Sequence, residues 1–166
     1  MKSFDEKPLI VLEMANNHMG DVSHGKALIS ALAEVVRPHR ATFDFAVKYQ
    51  FRQLDTFIHP DYRGGDLKFV KRFEETFLTD AQWDDLIGHG RDQGFLLIIT
   101  PFDEPSVKRA LSYDVDVLKI ASCSLADWPL LEVVAKANKE IIFSTAGANL
   151  GSIDNMVAFF SNRSVK

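Results

Sequence analysis

Apolar residues come in short continuous runs separated by stretches with helical periodicity, and this alternation governs the reading of the chain. Pro8-Leu-Ile-Val-Leu-Glu-Met14 is the first run, apolar throughout except for one carboxylate, as expected of a strand buried on both faces of a parallel sheet. A polar loop, Ala15-Asn-Asn-His-Met-Gly20, follows it. Asp21 or Ser23 then caps a helix whose apolar positions Ala27, Leu28, Ala31, Leu32 and Val35 recur at helical spacing up to Pro38. Phe43–Tyr49 reads as a second strand. Residues 51–78 are long and irregular around Asp61-Tyr-Arg-Gly-Gly-Asp66, the kind of connection that is functional or mobile.

Thr79-Asp-Ala-Gln opens a helix with a capping box, and Gly94 closes it. The third strand is Phe95–Thr100, with Asp103 and Pro105 starting a helix through Tyr113. The fourth is Val115-Asp-Val-Leu-Lys-Ile-Ala-Ser122, and a helix over Trp128–Asn138 follows. Ile141–Thr145 is the fifth strand, and Ser152 caps a last helix through Phe160. No hairpin dipeptide separates the strands, so the pattern is one of parallel strand-helix units with right-handed crossovers.

Two α/β architectures accommodate five such units. An open doubly wound sheet is complete at that length, whereas a (β/α)8 TIM-type barrel needs eight units and typically about 250 residues. The 166-residue length favours the open sheet. The chemistry favours the barrel: no glycine-rich nucleotide fingerprint follows any strand, and polar residues end every one of them. These are Glu13 with Asn16, Asn17 and His18; Lys48 with Gln50; Thr100 with Asp103; Lys119 with Ser122; and Ser144 with Thr145 and Asn149. A barrel gathers such ends at one mouth, where its active sites lie.

Composition narrows the function classes. With 46% hydrophobic and 25% charged residues the chain is a globular one, and a net charge of -4 without a basic block argues against nucleic acid. No apolar run reaches the roughly 18 residues of a membrane span, and the first residues lack the apolar core of a signal peptide. The single cysteine, Cys123, fits a reducing compartment and reads as a buried structural thiol. The expected location is the cytoplasm, and the 13 phenylalanines read mostly as core.

Lys119, set among Val117, Leu118 and Ile120, either snorkels to water or holds an anion. Lys48 repeats the pattern at a second strand end. Two such lysines with Thr100, Ser122 and Ser144 suit a small molecule bearing both a phosphate and a carboxylate. The plainer reading pairs each lysine with a nearby carboxylate such as Glu13. His18 is an acid-base candidate or a loop residue, and the other histidines show no metal-ligand spacing.

Glu13-Met-Ala-Asn-Asn-His-Met-Gly20, Ala46-Val-Lys-Tyr-Gln50, Thr100-Pro-Phe-Asp103, Lys119-Ile-Ala-Ser122 and Phe143-Ser-Thr-Ala-Gly147 together resemble the sialic acid synthase family, in order along nearly the whole chain. That family includes legionaminic and pseudaminic acid synthases and spore-coat polysaccharide relatives. The resemblance implies a (β/α)8 barrel, here its first five βα units in residues 1–166, without the family's C-terminal antifreeze-like domain. It implies condensation of phosphoenolpyruvate with an N-acetylmannosamine-like sugar to a nine-carbon 2-keto sugar acid and phosphate. Glu13 and Lys119 take catalytic roles. Lys48, Gln50, Thr100, Ser122 and Ser144, with Asn16 and His18, line the substrate pocket. A divalent manganese or magnesium ion is implied as cofactor, with its ligands outside this chain, and a homodimer in a full-length parent. Ser124 replaces a family carboxylate, and Ser144-Thr-Ala-Gly replaces a Ser-Thr-Gly-Met run. The alternatives carried beside this reading are a class I aldolase with a Schiff base on Lys119, and a non-catalytic sugar-phosphate-binding domain.

Overall fold

A computed structural model describes residues 7–163 and 165. The chain divides into two compact units, one made of the residues up to Tyr49 with Ile58–Leu97, the other of Gln50–Phe57 with the residues from Ile98 onward.

In the first unit β1 (Leu9–Glu13) pairs in parallel with β2 (Asp44–Phe51), in a register that sets Leu9 opposite Asp44 and Glu13 opposite Lys48. The crossover between them is α1 (Val22–Val36), capped by Asp21, whose carboxylate accepts from Ser23 N–H at 2.7 Å and His24 N–H at 3.2 Å. The capping choice thus falls on Asp21, leaving Ser23 as a donor. The 51–78 stretch is more structured than its composition predicts. It holds the single-turn α2 (Leu54–Phe57), a 3-10 turn at Pro60–Tyr62 and a two-turn helix, α3 (Lys68–Glu75). No residue of α3 is fully buried, and its apolar side, Phe69, Val70 and Phe73, is too short to show as a helical period in the sequence. α4 (Asp80–Asp92) begins with the expected reciprocal box between Thr79 and Gln82 and packs on α1, with Ile29, Ala33, Trp83 and Leu86 between them in the core.

In the second unit β3 (Leu96–Pro101) runs parallel to β4 (Val117–Ile120), Ile98 opposite Val117, and β4 parallel to β5 (Glu140–Phe143), Lys119 opposite Ile142. α5 (Glu104–Ser112) is capped by Asp103, with Pro105 in its first turn, and α6 (Trp128–Lys136) by Asp127. These two helices pack together over Ile98, Ile99, Val107, Leu118, Leu131 and Val134, which are fully buried or nearly so. α7 (Leu150–Ser161) is capped by Asn149 rather than Ser152. The Asn149 side-chain oxygen accepts the Ser152 N–H at 2.8 Å, and the helix begins three residues earlier than expected.

The strands stand in the sheet in chain order, β1-β2-β3-β4-β5. Doubly wound sheets start in the middle and reverse direction at a switch point, whereas a barrel adds each strand beside the last. The architecture is therefore that of the first five βα units of a (β/α)8 barrel, and the length argument for an open sheet is overturned.

Three expectations about burial need correcting. β1 is not buried on both faces, since Ile10 and Val11 are each 37% exposed, as befits the first strand in the order. Cys123 is exposed. Only some phenylalanines are core: Phe45, Phe51, Phe95 and Phe160 are buried, while Phe57, Phe69 and Phe77 face solvent.

Candidate active site

In the first unit the parallel register places Glu13 beside Lys48, and the two form an ion pair. Lys48 is 9% exposed. An ammonium that deep is tolerated only with a partner, which Glu13 supplies from the neighbouring strand end. The Lys48 carbonyl meanwhile accepts from Met14 N–H at 3.0 Å and Ala15 N–H at 3.2 Å, and so fixes where the following loop departs. Asn16 is half-buried in that loop, and Asn17 is exposed with its amide donating to the Glu13 carbonyl at 3.3 Å.

His18 lies beneath the loop. It is buried, its ring edge-on to Trp83 with centroids 5.3 Å apart, and its Nδ1 accepts from Gly20 N–H at 3.2 Å. Burial first, and His24 second, lower its pKa to about 4, so the imidazole is neutral at physiological pH. Nδ1 acts as acceptor, which puts the proton on Nε2. The role this geometry shows is to hold the loop's end. Gly20 is required there: it has φ +74°, and a Cβ would lie 2.6 Å from the Glu75 carbonyl oxygen at the end of α3.

The second unit gathers the ends of β3, β4 and β5 with the segment that follows Tyr49. Thr100 is 2% exposed, and its hydroxyl has no hydrogen-bond partner. Lys119 is half-buried between Leu118 and Ile120, both inaccessible. Ser122 is half-buried and opens a 3-10 turn through Ser124, itself buried. Ser144 is half-buried, and its N–H donates to the Ile120 carbonyl at 3.0 Å, tying the end of β5 to that of β4. The Gln50 side-chain oxygen accepts from the Arg52 guanidinium at 2.6 Å.

Arg52 is absent from the expected residue set, although it continues the alternation of Lys48 and Gln50, every second residue on one strand face. That period was the available signal. Among the described residues no group of three or more His, Cys, Asp or Glu side chains gathers to hold a metal ion. The divalent cation implied by the resemblance is expected to take its ligands from outside this chain, and no step is derived through it.

A model of the NeuB family matches residues 39–166. The chain belongs to the NeuB family. It is 33% identical over 155 residues to the spore coat polysaccharide biosynthesis protein SpsE of Bacillus subtilis, covering 90% of this chain and 40% of that protein. It is 30% identical over 163 residues to the N,N'-diacetyllegionaminic acid synthase of Campylobacter jejuni, covering 90% and 45%. Among solved structures, a spore coat polysaccharide biosynthesis protein E from Chromobacterium violaceum is 49% identical with a TM-score of 0.92, over 96% of this chain and 47% of the other. An N-acetylneuraminic acid synthetase from Leptospira borgpetersenii, at 23% identity and a TM-score of 0.80, shares the fold over 96% and 52%. This NeuB-family chain thus spans about half the length of the relatives it matches. No helix among its described residues is long and apolar enough to cross a membrane.

Proposed function

We propose that this chain contributes the strand-end groups of a synthase that condenses phosphoenolpyruvate with an N-acetylmannosamine-like sugar. The products are a nine-carbon 2-keto sugar acid and phosphate. The observation that carries the reading is NeuB-family membership over most of the chain, with a legionaminic acid synthase among the relatives.

In the reaction, C3 of phosphoenolpyruvate forms a carbon-carbon bond to the sugar aldehyde carbon, whose oxygen takes up a proton and becomes a hydroxyl. Water adds at C2, and phosphate departs as the ketone forms. The donor carries a carboxylate and a phosphate, so the residues assigned to it must be cationic or hydrogen-bonding. Lys119, Thr100, Ser122 and Ser144 are of that kind, and the buried Thr100 hydroxyl gains the partner it lacks. Lys48 is assigned to the donor as well, with Glu13 holding its ammonium in place and meeting the sugar. Gln50 and Asn16 are assigned to the pocket wall, and His18 keeps the loop that carries Asn16 in position.

The test is phosphate release from phosphoenolpyruvate, in manganese, by a full-length polypeptide carrying this chain. Release that depends on N-acetylmannosamine or a related sugar is expected. No release with any such sugar overturns the proposal.

A further inference from the structure

Arg52 follows β2 directly, and its contacts join the ends of β2 and β3 within the second unit. Its guanidinium carbon lies 4.0 Å from the centroid of the Phe102 ring and 5.9 Å from that of Phe57. Its amine donates to Gln50 at 2.6 Å, and Asp103 and Cys123 act on its charge. Phe102 sits just past Thr100 at the end of β3, its N–H donating to the Phe51 carbonyl at 3.1 Å. Cys123 sits in the turn that follows Lys119 and Ser122 at the end of β4. One cation therefore stands at the carboxyl ends of β2 and β3, the end of a parallel sheet at which barrel enzymes bind substrates.

Its surroundings confine it. The Phe102 ring lies under the guanidinium carbon, and the Gln50 amide oxygen holds one of its amines, so both restrict where the group can sit. The planar guanidinium is the side chain whose geometry matches the paired oxygens of a carboxylate or phosphate. Burial lowers its pKa to about 10, which leaves it charged at neutral pH while stripping part of its hydration. An anion gains more from a partly desolvated cation than from a hydrated one.

We propose that Arg52 is a further substrate-binding residue that recognises an oxyanion, carboxylate or phosphate, at the carboxyl ends of β2 and β3. The inference rests on the proposed function for its setting and deepens it by naming a substrate group. Two sources supply that group: the phosphoenolpyruvate donor, or an acidic substituent on the sugar acceptor.

Titration calorimetry with phosphoenolpyruvate, inorganic phosphate and a hexosamine 6-phosphate separates the cases, using wild type, Arg52→Met, Arg52→Lys and Lys119→Ala, with thermal unfolding as the check on folding. Arg52→Met is expected to weaken at least one oxyanion by about tenfold or more. Arg52→Lys, which keeps the charge and loses the fork, falls between it and wild type. A loss confined to phosphoenolpyruvate assigns Arg52 to the donor; one confined to the hexosamine phosphate assigns it to the acceptor. If Lys119→Ala loses phosphoenolpyruvate while both Arg52 variants bind all three ligands as wild type does, the Arg52 proposal is overturned and the proposed function stands. If wild type binds phosphate or hexosamine phosphate through Arg52 but ignores phosphoenolpyruvate, the Arg52 proposal stands and the donor assignment fails. Wild type that binds none of the three overturns both.

Discussion

The two units finish their strands differently. In the first, Lys48 on β2 meets the Glu13 carboxylate at the end of β1, and the deeply buried His18 is neutral and tied to Gly20. In the second, the Thr100 hydroxyl ends β3 fully buried and without a partner. A buried charge persists only when paired, so the first arrangement is stable by itself. An unpartnered buried hydroxyl costs about 1–3 kcal/mol, which a ligand oxygen can relieve. Both units carry polar strand ends, but among the described residues the unpartnered buried hydroxyl at a strand end belongs to the second.

The first unit supplies a contrast of its own. Tyr49 is 1% exposed, its hydroxyl also lacks a partner, and burial raises its pKa well above the usual phenol range. Its surroundings are internal: the ring stands edge-on to Trp83 at 5.8 Å, and its hydroxyl lies 2.9 Å from where a Cβ on Gly90 would be. That hydroxyl is enclosed by α4 rather than set at a strand end. Two unpartnered hydroxyls therefore have different meanings, one a packing cost and the other a proposed binding group.

The largest effect that sharpens this contrast is acid sensitivity of the first unit. The folded-state pKa of His18 is lowered from 6.5 to about 4, so the unfolded chain binds the proton more readily between those values. The stability His18 contributes as a neutral ring is present above pH 6.5 and lost as pH falls toward 4, by up to about 3 kcal/mol. Denaturant unfolding across that range measures it. His18→Gln should flatten the curve, and a flat wild-type curve contradicts the assignment.

Next is Thr100→Val, which removes the hydroxyl and keeps the shape. Stability should hold or rise, while phosphoenolpyruvate affinity falls by about tenfold. Tyr49→Phe is the matched control. It should raise stability by about 1 kcal/mol or leave it unchanged, with ligand affinity unaltered. Equal effects of the two substitutions on binding would erase the distinction between them. The smallest effect belongs to Glu13→Gln, because the amide oxygen still accepts from the Lys48 ammonium and the half-exposed Glu13 position lets water reach the pair. A stability loss below about 1 kcal/mol, shrinking further in salt, is expected by thermal unfolding.

Much of this arrangement can be read from the chain because it is written locally. The capping box at Thr79 and Gln82 and the caps at Asp21 and Asp103 depend on a few adjacent residues, and each forms as the pattern predicts. The pairing of Lys48 with Glu13 was also open to the reader, as the plainer of two alternatives. α3 was hidden because it is only eight residues long, and its few apolar positions, Phe69, Val70 and Phe73, do not establish a helical period; Phe69 itself is 73% exposed. Exposure of β1 was hidden because an apolar run looks the same at the side of a sheet as in its middle; only the strand order tells them apart. Cys123 misleads for a related reason: it follows a buried strand, but the turn at Ser122–Ser124 brings it to the surface. Arg52 was missed because its significance lies in Phe102 and Cys123, 50 and 71 residues further along the chain.

The most direct test of the central claim is a titration of the isotopically labelled chain with phosphoenolpyruvate, followed through its backbone amide resonances. The account predicts saturable shifts centred on Thr100, Lys119, Ser122 and Ser144, all at strand ends of the second unit. Amides that stay unmoved at these positions under excess ligand, or shifts confined to α3 and the 58–67 segment, would contradict it.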